Sequence, residues 1–417
     1  MKTTSPISRR SFLVHSAGAA GVFSIAHGLF ASASETPPND RINIGAIGLS
    51  GRGSYIMNAF LQYPDVRVVA VCDVIAKRRE EAKKAVDDHY GSQDCRTYID
   101  WRELIAQPDI DAVMIATCDH QHVRHLEDTA RAGRDAYCEK PLAKDMESLN
   151  RVCDVVRESG ILVQIGTQSR SLPSMAGARE AYRKGLLGKV GRIEHMRNEL
   201  RPYWLTQLKE ARAEDVDWQR FLMGRPDRPF SAAQLTGWYG FREFSDGPVP
   251  TYGSHFVDLV HYITGTTFPV SAVCLGRDSE GHEGVPFDCP EQVQAVWTYP
   301  EGFLVCYSTG FGNYSGSGFS LYGDQAAMNL WEGEDVYLYR RGALNSGGKP
   351  EDQIRVEDVP VPDHLVDWLQ CIRSRKTPNA PMEAGYQHAV AVIMAMKAYD
   401  TGRRQVFDPG KREIREG

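Results

Sequence analysis

No C-x-x-C pair occurs among the nine cysteines, and their number is odd, so no disulfide framework is predicted. They read instead as small buried apolar residues. Excess charge is also scarce: the formal net charge of −6 leaves no basic face for nucleic acid, and no lysine-rich helix suits a membrane surface. The apolar run from Ala17 to Phe30 is too short, and too interrupted by glycine and histidine, for a stable membrane span. Internal repeats are missing, and low complexity is confined to Ser315-Gly316-Ser317-Gly318, read as a loop. What remains is a chain of 417 residues with an ordinary 42% hydrophobic fraction, enough for two domains whose expected partners are small molecules.

The N-terminus carries Ser8-Arg9-Arg10-Ser11-Phe12-Leu13, a twin-arginine pattern, then the apolar run, then the small residues Ala31-Ser32-Ala33. This predicts a signal peptide over 1–33, read by the twin-arginine export machinery, and a polar leader over 34–40. The expected location is periplasmic, reached by a chain already folded.

Strand and helix patterns then alternate to about residue 160: strands at Ile42 to Ile47, Val66 to Cys72 and Ala112 to Ala116, with helices around 76–86 and 122–132. That order predicts an α/β fold with a doubly wound parallel sheet over 41–160. From Val190 short alternating segments such as Gln292-Val293-Gln294-Ala295-Val296-Trp297 predict a mostly antiparallel open sheet. The second domain is therefore α+β over 161–417, with a helical tract from His364 to Asp400 returning across the boundary. Trp297, Tyr299, Tyr307, Tyr322 and Trp331 are expected on a face covered by a second copy, in a homodimer or homotetramer.

The turn after the first strand reads Gly48-Leu49-Ser50-Gly51-Arg52-Gly53, a G-x-S-G-x-G variant of the dinucleotide fingerprint. Small residues there let a phosphate approach bare backbone N–H groups at a helix N-terminus. The second strand ends in Asp73, twenty residues after Gly53. A carboxylate there accepts hydrogen bonds from ribose hydroxyls and repels a 2′-phosphate, so NAD is the expected cofactor.

These pieces, with Thr117-Cys118-Asp119-His120-Gln121-His122, Cys138-Glu139-Lys140-Pro141, Gly166-Thr167-Gln168 and Tyr252-Gly253-Ser254-His255-Phe256-Val257-Asp258, resemble the Gfo/Idh/MocA oxidoreductase family from Arg41 to Val406. The resemblance implies hydride transfer at a sugar or polyol hydroxyl. Lys140 is then the proton-handling residue, Glu139 orients it or braces the turn, and Pro141 directs it into the cleft. Arg52, Thr117 and Gln168 fall beside the expected cofactor. His120 and His122 line the cofactor pocket or cap the helix, and no metal is expected from the Asp119 to His125 cluster.

His255 is the second catalytic candidate, but where family dehydrogenases place an aspartate one turn earlier this chain has Thr251. A threonine holds no negative charge. Asp258 and Asp246 are the expected replacements. The aromatic cluster Tyr203-Trp204, Trp218, Phe221, Trp238-Tyr239 and Phe241-Arg242 is read equally as core or as a sugar-binding surface, with Trp238 and Arg242 the substrate candidates. Export of a folded chain implies NAD carried as a tightly bound group, re-oxidised or re-reduced in place. The leading expectation is an exported oxidoreductase. A redox-neutral glycoside-cleaving enzyme and a non-catalytic sugar-binding or nucleotide-binding protein are the alternatives.

Overall fold

The computed structural model describes residues 41–282, 284–313, 315–330, 335–340 and 353–417. The twin-arginine segment, the leader and Trp331 lie outside the described residues. Strands β1 (Ile42–Ile47), β2 (Val66–Cys72), β3 (Arg96–Tyr98), β4 (Ala112–Ile115), β5 (Asp135–Cys138) and β6 (Val163–Ile165) form a parallel sheet of order β3-β2-β1-β4-β5-β6. Its inner strands β4 and β5 are buried throughout because helices cover both sides. The order reverses between β1 and β4, which opens a crevice at the C-terminal strand ends where a doubly wound sheet takes its ligand.

The boundary expected at 160 falls one strand short, since β6 pairs with β5 inside this sheet. The helix His364–Ser374 also returns to it: Trp368, fully buried, packs its ring on Phe60 at 5.5 Å and on Tyr137 at 5.8 Å.

The second sheet takes β7 (Val190–Glu199), β8 (Ser271–Asp278), β9 (Pro290–Thr298), β10 (Leu304–Phe311), β11 (Gly318–Gly323), β12 (Ala326–Leu330), β13 (Tyr337–Arg340), β14 (Gln353–Arg355), β15 (Gln405–Asp408) and β16 (Glu413–Glu416). Its order is β14-β13-β12-β11-β7-β10-β9-β8-β15-β16, antiparallel except for the β7 and β10 pair. Of the aromatics expected on the outer face, Tyr322 does lie there, half-buried under the Arg192 guanidinium at 4.8 Å, but three others point inward. Trp297, Tyr299 and Tyr307 are buried within the chain, the Trp297 indole donating to the Ala391 carbonyl at 2.8 Å and the Tyr299 hydroxyl meeting His261 at 2.8 Å. The exposed face instead carries Met196, Val273, Leu275 and Leu304. Alternation specified two faces, and the helices chose the more aromatic one because it buries more apolar area.

Candidate functional site

The glycine turn is shaped for a phosphate. Gly48 has φ of +85°, and a Cβ on it would sit 2.6 Å from the Ala116 carbonyl oxygen; one on Gly53 would sit 1.9 Å from the Gly48 oxygen. Both positions therefore require glycine so that β1, β4 and the helix Gly51–Phe60 can close together. Gly51 differs: its Cβ would meet nothing within 4 Å, so its surface is open to a ligand. Ser50 caps this helix without a side-chain hydrogen bond, leaving the first N–H groups for an anion. These residues fit a dinucleotide pyrophosphate.

Asp73 is buried at the end of β2, where its carboxylate accepts from the Leu49 and Ile75 N–H groups at 2.8 and 2.9 Å. It thus holds the glycine turn to its own loop, and each oxygen keeps a lone pair for a ribose hydroxyl.

At the end of β5, Glu139 is a hub. Its Oε1 accepts from Gln168 Nε2 at 2.7 Å, Arg52 Nε at 3.2 Å and Tyr137 Oη at 3.3 Å, and its Oε2 faces the Lys140 N–H at 3.4 Å. Burial alone would raise this carboxyl; Arg52 and then Lys140 outweigh that and hold it below its ordinary value. A Cβ at Gly166 would press on the same carboxylate at 2.5 Å, which accounts for the glycine in Gly166-Thr167-Gln168. Glu139 therefore braces the turn and does not bond the lysine ammonium. The Lys140–Pro141 bond is cis, and Lys140 Nζ donates to the Thr251 carbonyl at 3.1 Å, across 111 residues of sequence.

Thr251 lies in a π-helical turn, Val249–Gly253, that runs into the helix Ser254–Thr264. Its hydroxyl accepts from Tyr203 Oη at 2.9 Å. His255 follows on the same element, and its buried Nδ1 has no hydrogen-bond partner among the described residues. Burial, then the positive charges of Lys140 and Arg52, pushes this imidazole far below its ordinary value, so it is neutral.

Neither expected replacement acid serves it. Asp258 is locked in a buried pair with Arg170, at 2.7 and 2.8 Å, because a buried carboxylate takes the nearest bidentate cation. Asp246 pairs with Lys144 at 3.5 Å and Arg242 at 3.4 Å; burial raises it to about 6.

Other expected site residues have partners within the chain. His120 packs against Phe221 and Phe244 and meets the Phe221 carbonyl at 2.9 Å. His122 is buried between the Pro141 and Thr117 carbonyls at 2.8 and 3.1 Å, tying the β4 loop to the lysine loop. The Thr117 hydroxyl turns to His125 at 3.1 Å. Arg242 spends its guanidinium on Asp246 and on Asp400 at 2.6 Å, over the Tyr399 ring. Among the aromatics, Trp204, Trp218, Phe221 and Phe241 are buried core. Trp238 stacks on Tyr239 at 3.7 Å, and Tyr239 in turn meets Tyr203, the member of the cluster bonded to a candidate site residue.

Sequence reasoning missed Arg197 and Glu199, at the C-terminal end of β7. Glu199 accepts from the hydroxyl of Tyr252, the residue after Thr251, at 3.0 Å. Alternation along β7 was the available signal, since Ile193, His195, Arg197 and Glu199 share one side of the strand.

Comparison with known proteins agrees with this arrangement. Residues 42–167 match the oxidoreductase family's NAD-binding Rossmann fold, and residues 220–406 match its C-terminal alpha/beta domain. Levoglucosan dehydrogenase of Pseudarthrobacter phenanthrenivorans is 26% identical over 284 residues, 63% of this chain and 65% of that protein. Inositol 2-dehydrogenase of Rhizobium meliloti is 30% identical over 190 residues, 44% of this chain and 55% of that protein. The matches thus span about half to two thirds of these relatives' length. Aldose-aldose oxidoreductase of Caulobacter crescentus, solved with glycerol, shares the fold at a TM-score of 0.67, with 17% identity, 88% of this chain and 100% of that one. With both domains matched in order around an NAD-binding Rossmann fold, the chain belongs to the Gfo/Idh/MocA oxidoreductase family.

Proposed function

We propose that the protein transfers hydride between a hydroxyl-bearing carbon of a sugar or polyol and an NAD that stays bound. The observation that carries this reading is Lys140 Nζ, fixed on the Thr251 carbonyl beside a neutral His255, at the strand ends where the glycine turn would hold a dinucleotide. Bound NAD supplies the hydride acceptor. In this step Lys140 acts as the free amine, which takes the hydroxyl proton and becomes the ammonium, and the Glu139 hub keeps its backbone in place. The Thr251 hydroxyl, already receiving one bond from Tyr203, has its own proton to donate to a substrate oxygen. Sugar and polyol dehydrogenases among the relatives support the substrate class.

Retention of NAD and export belong to the same proposal. Residues 213–222 seat on the loop directly after Asp73, with a bridge between Ile75 and Val216 and the Asp217 N–H donating to the Val74 carbonyl at 3.0 Å. A clasp at this point, next to Asp73, would slow the escape of a dinucleotide held there. The twin-arginine pattern at Arg9 and Arg10 supports passage to the periplasm as a folded, loaded protein. Native mass spectrometry of the purified mature protein should show one NAD per chain, and its nicotinamide should be reduced on mixing with a sugar or polyol; an empty protein would end the retained-cofactor reading.

Asp73→Ala should weaken NAD much more than NADP, because the carboxylate grips the ribose hydroxyls and holds the Leu49 N–H. Titration of both nucleotides into cofactor-stripped protein decides it, and tighter NADP binding by the wild type would refute the assignment. We also propose a homodimer or homotetramer formed through the exposed face around Met196, Val273, Leu275 and Leu304. Sedimentation at micromolar concentration should find no monomer, and Leu275→Arg should create one.

A further inference from the structure

Resting on the reading of a sugar or polyol oxidoreductase, we propose that Arg197 and Glu199 form a subsite that reads hydroxyls of a neutral substrate and discriminates against sugar acids. Three donors crowd one carboxylate oxygen: Arg197 Nε at 3.0 Å, Arg197 Nη2 at 2.8 Å and Tyr252 Oη at 3.0 Å all reach Glu199 Oε1. Oε2 of Glu199 and Nη1 of Arg197 make no hydrogen bond among the described residues. A free acceptor on Glu199 and a free donor on Arg197 are therefore left on one ion pair, which the Arg197 guanidinium, lying 4.1 Å over the Tyr252 ring, helps to hold in place. Both side chains are about one quarter exposed, at 23% and 25%, so the pair is accessible.

Its position follows from its neighbours. Tyr252 continues directly from Thr251, which touches both Lys140 and Tyr203, and the Tyr203 ring packs edge-on against Tyr252 at 4.9 Å. The pair thus stands on the same wall as the proton-handling lysine, further along it. The hydroxyls of a neutral sugar or polyol match such a pair: one donates to Oε2 while another accepts from Nη1. A carboxylate on the substrate does not match, because Glu199 already neutralises Arg197 and would repel it.

Calorimetric titration of the NAD-containing protein with glucose and sorbitol, against gluconate and glucuronate, measures recognition without requiring turnover. The wild type should bind the neutral compounds at least about 10-fold more tightly, and Glu199→Gln should lose about 10-fold or more of that affinity while narrowing the discrimination, as expected for a hydrogen bond to a charged group. Preference for the acids, binding of neither class, or unchanged affinity in Glu199→Gln overturns the proposal. Should that variant fail to retain NAD, Tyr252→Phe, which removes one donor from Oε1 without changing charge, should show a smaller loss for the neutral compounds; no loss again overturns it. Selective binding without reduction of the nicotinamide would leave the subsite standing and refute the oxidoreductase reading instead.

Discussion

Lys140→Met should leave the bound NAD in place while its reduction by substrate falls roughly 100-fold or more, the scale for loss of a positioned acid–base group. Methionine keeps the length of the side chain and removes the nitrogen that donates to the Thr251 carbonyl. Cofactor occupancy should survive because the pyrophosphate cradle, Asp73 and the Glu139 hub do not use the lysine side chain. His255→Asn should cost less: the imidazole is held neutral by burial and by Lys140 and Arg52, and no carboxylate among the described residues bonds it. Rapid-mixing measurement of nicotinamide absorbance follows hydride transfer alone. Wild-type rates in the Lys140 variant would make the lysine structural and leave the proton to another group.

Arg170→Met should destabilise the fold by about 3–5 kcal/mol, the cost of stranding one member of a buried ion pair. Asp258 is 1% exposed and Arg170 8%. Burial alone would raise the Asp258 carboxyl, but Arg170, and after it His388, holds it far below the ordinary carboxylate range. A carboxyl depressed in the folded state contributes stability that is present above its unfolded value, about 4, and is lost as pH falls toward the folded one. Removing Arg170 leaves burial dominant and inverts the sign, since a raised carboxyl is stabilising when protonated and becomes costly as pH rises through it. The gap in melting temperature between wild type and variant should therefore be widest at neutral pH and narrow toward pH 4. A gap that does not change with pH would show that Asp258 does not depend on Arg170 for its charge.

Much of this protein is local chemistry and could be read from the chain. Strands β1 and β2 run over the residues that their apolar patterns mark, because a strand buried on both faces announces itself within a few positions. The glycine turn is equally local, as Gly48 and Gly53 are demanded by contacts with the adjoining strand ends and turn. Thr251 in place of an acid is visible by counting back one helical turn from His255.

Partner choice was decided only in three dimensions. Asp258 stands one turn after His255 and looks available to it, yet Arg170, 88 residues away, reaches it first with two parallel bonds. Arg242 sits among aromatics but is drawn to Asp400, 158 residues on. Trp297 and Tyr307 alternate cleanly along their strands, and a period of two separates the faces without saying which one the helices will cover. Spacing along a chain sets which side chains leave an element together; which charge, hydroxyl or ring they meet depends on distances across the fold, where burial makes each ionised group take the strongest partner within reach.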